Sequence, residues 1–285
     1  MFKSQRFIIG IGVILLLMSL AMGRTTAGFA DPAVHTARWE AVDTSALVSS
    51  DRQEDNAEKG TDEQEAIRQA VQTLVARWSD AVLPSSGWLH VVTHHTRDKD
   101  KTSLLPNGQP IPLNYISETW YRLDDRGQVV EAVALMRSEE GQPIQVGTFR
   151  ENTWRNLTVG EKWKGEPFTP RLDLGFSADV ARAPEWGSTL DRRMVTWAGR
   201  PAMRFVMRDE FAPPRRIEGY AQPVVRGERR AWFDPDSGAL LLLERVLVMA
   251  DGTERVVERV EPVTIERGVE PPAEVLALLQ QEVAK

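Results

Sequence analysis

From Ser86 onward apolar and polar residues alternate with a period of two, in short runs rich in Val, Thr, Tyr, Trp and Phe. A period of two sends successive side chains to opposite faces of a strand, so the pattern predicts an antiparallel meander. Ten strands are expected, over residues 88–96, 115–124, 128–138, 145–150, 153–159, 190–198, 202–208, 228–234, 239–249 and 254–265. Asp124-Asp-Arg-Gly127, Glu140-Gly141, Asp234-Pro-Asp-Ser-Gly238 and Ala250-Asp-Gly252 supply turn residues that tolerate positive φ between these runs. Segments 97–114 and 160–188 hold many of the prolines and read as long irregular loops, which often flank a mouth or a contact surface.

Before Ser86 the period is helical. Ile67, Val71, Leu74, Val75, Trp78 and Val82 form one apolar stripe against polar Arg68, Gln72, Arg77 and Asp80, and Pro84 ends the run. Thr61-Asp-Glu-Gln64 reads as a capping box, with a hydroxyl at the N-cap and acidic residues in the first turn. A second, short helix is expected after Pro271 and Pro272, reaching Glu282. The fold class is therefore α+β and mainly β: a large curved antiparallel sheet or unclosed β-barrel, with the amphipathic helix packed on it as a lid.

The first thirty residues differ from the rest. Lys3 and Arg6 precede an apolar run from Phe7 to Met22, and small residues follow at 27–30, the pattern of a signal peptide cut after Ala30. The alternative is an uncleaved anchor, although sixteen residues at about 1.5 Å each fall short of the roughly 30 Å hydrocarbon core. Residues 31–60 carry few large apolar side chains and read as a flexible linker. Residues 61–285 form the single β domain, and the protein is expected to work outside the cytoplasm: periplasmic, secreted, or membrane-tethered.

Cleavage would remove Lys3, Arg6 and Arg24 and no acidic residue, leaving 32 basic against 41 acidic residues and a net charge of −9. With no basic stripe or recognition motif, nucleic acid is excluded as an expected partner. The chain has no cysteine, so an exported fold must rest on its apolar core without disulfides.

No P-loop, zincin, nucleophile elbow or dinucleotide fingerprint occurs, so no catalytic residue and no cofactor are predicted. His90, His94 and His95 cluster, but four strand residues span about 13 Å and successive strand residues face opposite ways, so no metal site is predicted. The Asp234 turn opens like a calcium loop, yet its twelfth position is Arg245, which would repel the ion. A hydrolase would need a polar cleft around His90 or His94. Met203, Phe205 and Met207 alternate with Arg204 and Arg208, and flexible Met with broad Trp suits irregular apolar ligands as well as an ordinary core.

Ala198-Gly-Arg-Pro-Ala-Met-Arg-Phe-Val206, the run from Ala231 to Leu243 with its Trp232-Phe233-Asp234 and Ser237-Gly238, and the Ala250-Asp-Gly252 turn resemble the periplasmic lipoprotein-carrier superfamily. Its members include LolA-type carriers and MucB/RseB-type sigma-factor regulators, and the match covers about a quarter of the chain. The resemblance implies an unclosed antiparallel barrel on a helical lid with an apolar interior that accepts acyl chains. Two departures stand out, the long segments 97–114 and 160–188 and the absence of the regulators' second domain.

These lines define a non-enzymatic extracytoplasmic protein that holds an apolar ligand, a lipid or lipidated peptide, between a concave sheet and the helix. Trp78, Met203, Phe205, Met207 and Trp232 are its expected lining, with the concave face left open by the alternation. The alternative is an envelope-stress or sigma-factor regulatory module that binds a membrane-anchored regulatory protein.

Overall fold

The computed structural model describes residues 54–281 apart from 84, 100–102 and 218. The expected export segment and residues 31–53 of the expected linker lie outside the described residues. No helix among the described residues is long and apolar enough to cross a membrane.

Helix α1 spans Glu54–Val82. It starts about two turns before the expected cap at Thr61. The Glu- and Ala-containing stretch before that residue favours helix, and one interior glycine, Gly60, costs only about 1 kcal/mol. Thr61 is thus a helix-interior residue, and Gln64 is freed for another role.

Eleven strands follow: β1 (Gly87–Arg97), β2 (Asn114–Leu123), β3 (Val129–Arg137), β4 (Pro143–Arg150), β5 (Thr153–Asn156), β6 (Glu161–Lys164), β7 (Thr189–Trp197), β8 (Arg200–Arg215), β9 (Val224–Phe233), β10 (Leu240–Met249) and β11 (Glu254–Arg267). Helix α2 (Phe176–Trp186) lies between β6 and β7, and helix α3 (Ala273–Leu278) follows β11. Both β6 and α2 lie in the segment expected to be a loop. Glu161-Lys-Trp-Lys164 has only one large apolar side chain, and α2 has Pro184 inside it, so neither announces itself by periodicity.

The strands form one antiparallel sheet in the order β6-β5-β4-β3-β2-β1-β11-β10-β9-β8-β7. Two meanders run outward from the junction of β1 with β11, the first and last strands among the described residues. The sheet is not closed: β6 and β7 are its two edges, and the chain between them passes over one face. That face, here the inner one, is covered by α1 and α2. Ile67, Val71 and Leu74 of α1 and Phe176 and Val180 of α2 pack on Phe205, Met207, Phe233 and Leu240. Trp78 and Val82, farther along α1, pack on a second group containing Leu89, Tyr121, Phe149 and Phe168. The outer face carries Trp88, Trp120, Val133 and Leu135, covered by Val275 and Leu279 near α3.

Helix α1 meets the sheet at close range. A Cβ on Gly238, in the β9–β10 turn, would overlap the Leu74 carbonyl oxygen. Arg77 donates to the carbonyls of Pro235 at 3.1 Å and Asp236 at 3.0 Å, fixing the same turn from its other side.

Candidate functional site

Register sets out the floor of the site. Across β2, β1 and β11 the inner face carries successive rows: Tyr121 with Leu89, then Thr119, Val91 and Ile265, then Ser117, Thr93 and Pro262, then Tyr115, His95 and Val260. Polarity rises along these rows, from an aromatic and aliphatic end beneath Trp78 and Val82 to a hydroxyl and imidazole end. Thr93, His95, Ser117 and Thr119 are all buried.

Over the middle rows lies a cleft, floored by Val91, Thr93, Ser117, Thr119 and Ile265 and roofed by Pro170, Arg171, Leu172 and Leu174. It encloses about 20 Å³, room for a single water. The roof is a strap from Gly165 to Gly175 that leads from the β6 edge to α2. Phe168 anchors it: its carbonyl accepts from the Val129 N–H at 2.7 Å, and its ring sits 5.5 Å from Phe149 and 5.7 Å from Trp154. At the other end the Asp173 carboxylate accepts from the N–H groups of Gly175 at 3.3 Å and Ser177 at 2.5 Å, serving the otherwise unpaired first turn of α2. Leu174, in the roof, has φ 55°, a left-handed conformation that costs a branched residue of order 1–3 kcal/mol.

Beyond the cleft the polar rows continue as a buried chain. Thr93 Oγ1 bonds His95 Nε2 at 2.9 Å, His95 stacks on Tyr115 at 4.4 Å, and its Nδ1 lies 3.9 Å from Glu258. Glu258 pairs with Arg245 at 3.4 Å, and Arg229, opposite Arg245, pairs with Asp179 of α2 at 2.9 Å. Burial pushes the Asp179 carboxyl above its usual range, and Arg229 offsets only part of that. Burial likewise pushes the Tyr121 phenol up to about 12, so it is a neutral hydroxyl donor at any physiological pH. The order hydroxyl, imidazole, carboxylate resembles a nucleophile relay, but 3.9 Å is too long for the hydrogen bond that orients a catalytic imidazole.

Four of the five expected lining residues lie on the inner side. Phe205 and Met207 are fully buried beneath α1 and α2, Met203 is partly buried beside them, and Trp78 covers the group around Leu89 and Tyr121. Trp232 does not join them. It lies on the outer face with Ala202 and Leu242, 6.0 Å from Trp197 and beneath Arg204. The reason is register: Trp232 pairs with Arg204, and Arg204 alternates with the inward Met203 and Phe205. His95 faces inward, whereas His90 and His94 face outward, where His90 stacks on Trp120 at 3.7 Å. The sequence reading missed the cleft residues themselves. Their available signal was the alternation Tyr115-x-Ser117-x-Thr119-x-Tyr121, one buried strand face made wholly of hydroxyl-bearing residues.

The architecture is thus an unclosed antiparallel sheet with helices and a strap on its inner face. No family model and no curated protein matches the chain. Among solved structures it is similar to an uncharacterized conserved protein from Thermus thermophilus, at 10% identity and a TM-score of 0.36 over 72% of this chain and 91% of that one. The Mycobacterium tuberculosis lipoprotein LppX gives 8% identity and a TM-score of 0.35 over 72% of this chain and 98% of LppX. A DUF1329 family protein from Desulfovibrio piger gives 9% and 0.23 over 71% and 94%. Likeness at this level carries neither family nor function across.

Proposed function

We propose that this chain is a non-enzymatic extracytoplasmic binding protein, holding a lipid or lipidated peptide between the inner sheet face and its helical cover. The observation that supports it is the cleft on the middle strands, apolar toward α1 and hydroxylated at its far end, roofed by an irregular strap and not by a strand. The strap is the one part of the cover without regular secondary structure, held by Phe168 and Leu172 in one apolar cluster, Leu174 against the other and a Gln128–Thr169 bond, and opening the cleft means lifting these contacts. The present enclosure admits only a water, so uptake requires that movement. The export pattern of residues 1–30 supports the extracytoplasmic placement. Membership of the lipoprotein-carrier superfamily is the family reading that this architecture favours.

The test is mass spectrometry of organic extracts from the exported protein and from a Thr119→Trp variant, whose indole would fill the cleft. A stoichiometric lipid with the parent chain, lost in a folded Thr119→Trp variant, supports the reading. A parent protein that is folded and empty, and that takes up no added lipid, overturns it.

A further inference from the structure

The cleft has an electrostatic asymmetry that its shape does not require. None of its eleven lining residues is acidic, and Arg171 is the one lining side chain that is charged at neutral pH. Among the described residues Arg171 has no acidic partner, although most arginines of this sheet are paired, Arg137 with Glu118, Arg208 with Asp191 and Glu228, and Arg245 with Glu258. Two buried acids lie close by in the fold: Glu258 on the inner face is paired with Arg245 at 3.4 Å, and Asp173 in the strap accepts from the N–H groups of Gly175 and Ser177. A guanidinium closed under an apolar ligand would lose water without compensation, which is costly for a cation. A carboxylate satisfies it with two parallel charge-assisted bonds.

We infer that the ligand is an anionic amphiphile, a long-chain carboxylate, with its tail toward Leu89, Tyr121 and Trp78 and its head at the Thr93–Ser117 end under Arg171. This rests on the binding function proposed above and adds the chemical class of the ligand. The hydroxyls of Ser117 and Thr119 supply further donors that a carboxylate accepts, Thr93 joins them in the tautomer in which His95 Nε2–H donates to its oxygen, and Tyr121 stays a neutral donor at the apolar end.

The experiment is a fluorescence titration of the full chain with anthroyloxy-labelled stearic acid and, in parallel, with its methyl ester. The parent protein binds the acid more tightly than the ester. Arg171→Gln weakens the acid by at least about tenfold and the ester far less, while Arg171→Lys keeps the preference for the acid. Thermal midpoints equal to the parent's establish that the variants fold, as expected for a half-buried strap residue. If acid and ester bind the parent equally, or Arg171→Gln weakens both alike or neither, the anionic class is overturned and the binding function stands. If neither probe binds the parent chain, the binding reading fails with it.

Discussion

The side-chain amide of Gln64 in α1 pairs with the backbone of Leu190 in edge strand β7 as another strand would: it donates to the carbonyl at 2.8 Å and accepts from the N–H at 2.6 Å. One glutamine therefore ties the lid helix to the sheet and blocks an edge position that could pair with a foreign strand. Gln64→Ala should cost about 1–3 kcal/mol, since it strands a donor and an acceptor together. Urea unfolding would show a lower midpoint with an unchanged slope. The Leu190 amide should exchange faster with solvent; unchanged exchange would mean that the pair contributes nothing.

Gly238 and Gly252 make a matched comparison. Both have left-handed backbones, φ 76° and 82°, but a Cβ at Gly252 meets open space and one at Gly238 meets the Leu74 carbonyl. Gly252→Ala should cost about 1–2 kcal/mol for the backbone alone. Gly238→Ala adds overpacking against α1, about 2–5 kcal/mol in sum. Equal midpoints for the two variants would show that α1 does not rest on this turn.

Trp232→Ala should destabilise the fold by about 3–5 kcal/mol, as removal of a buried indole does, and leave ligand uptake untouched. Phe168→Ala, which cuts the anchor of the strap, should speed ligand exchange. A Trp232 variant that folds and loses uptake would relocate the site to the outer face.

His90 lies between Glu118 at 3.3 Å and Glu266 at 3.2 Å. Burial alone would lower its pKa, but the bonds and charges of the two carboxylates outweigh it and the imidazole is raised above its ordinary 6.5. Glu118 is lowered from 4.5 to about 2, chiefly by its bond to His90, with Arg137 and Trp120 assisting. The raised His90 stabilises fully below 6.5, and that contribution disappears as pH rises through its folded value. The lowered Glu118 stabilises above 4.5, and its contribution disappears as pH falls toward about 2. The pair is therefore strongest between about 4.5 and 6.5. An NMR titration of the His90 ring should show a lower pKa in Glu118→Gln; no change would assign the shift to Glu266 alone.

The amino-acid sequence by itself determined the local elements. Ten of the eleven strands were legible as elements, nine of them to within a few residues, because a two-residue alternation and glycine turns are properties of neighbours along the chain; β8 runs on to Arg215, seven residues past its expected end. The apolar stripe of α1 was legible for the same reason, although its start was not, since the stretch before Thr61 continues the helix without a cap. What only the tertiary structure decided lies across the sheet. Pairing of β1 with β11 joins residues about 170 positions apart, and nothing local encodes it. That junction creates the graded floor, with Val91 between Thr119 and Ile265 and Thr93 between Ser117 and Pro262. Alternation distinguishes two faces without saying which one a helix will cover, so Trp232 and Met203 could be sorted only once α1 was in place. The strap lacks any period, being held by scattered contacts of Phe168, Thr169, Leu172, Asp173 and Leu174, and the cleft beneath it exists only because three distant segments meet there.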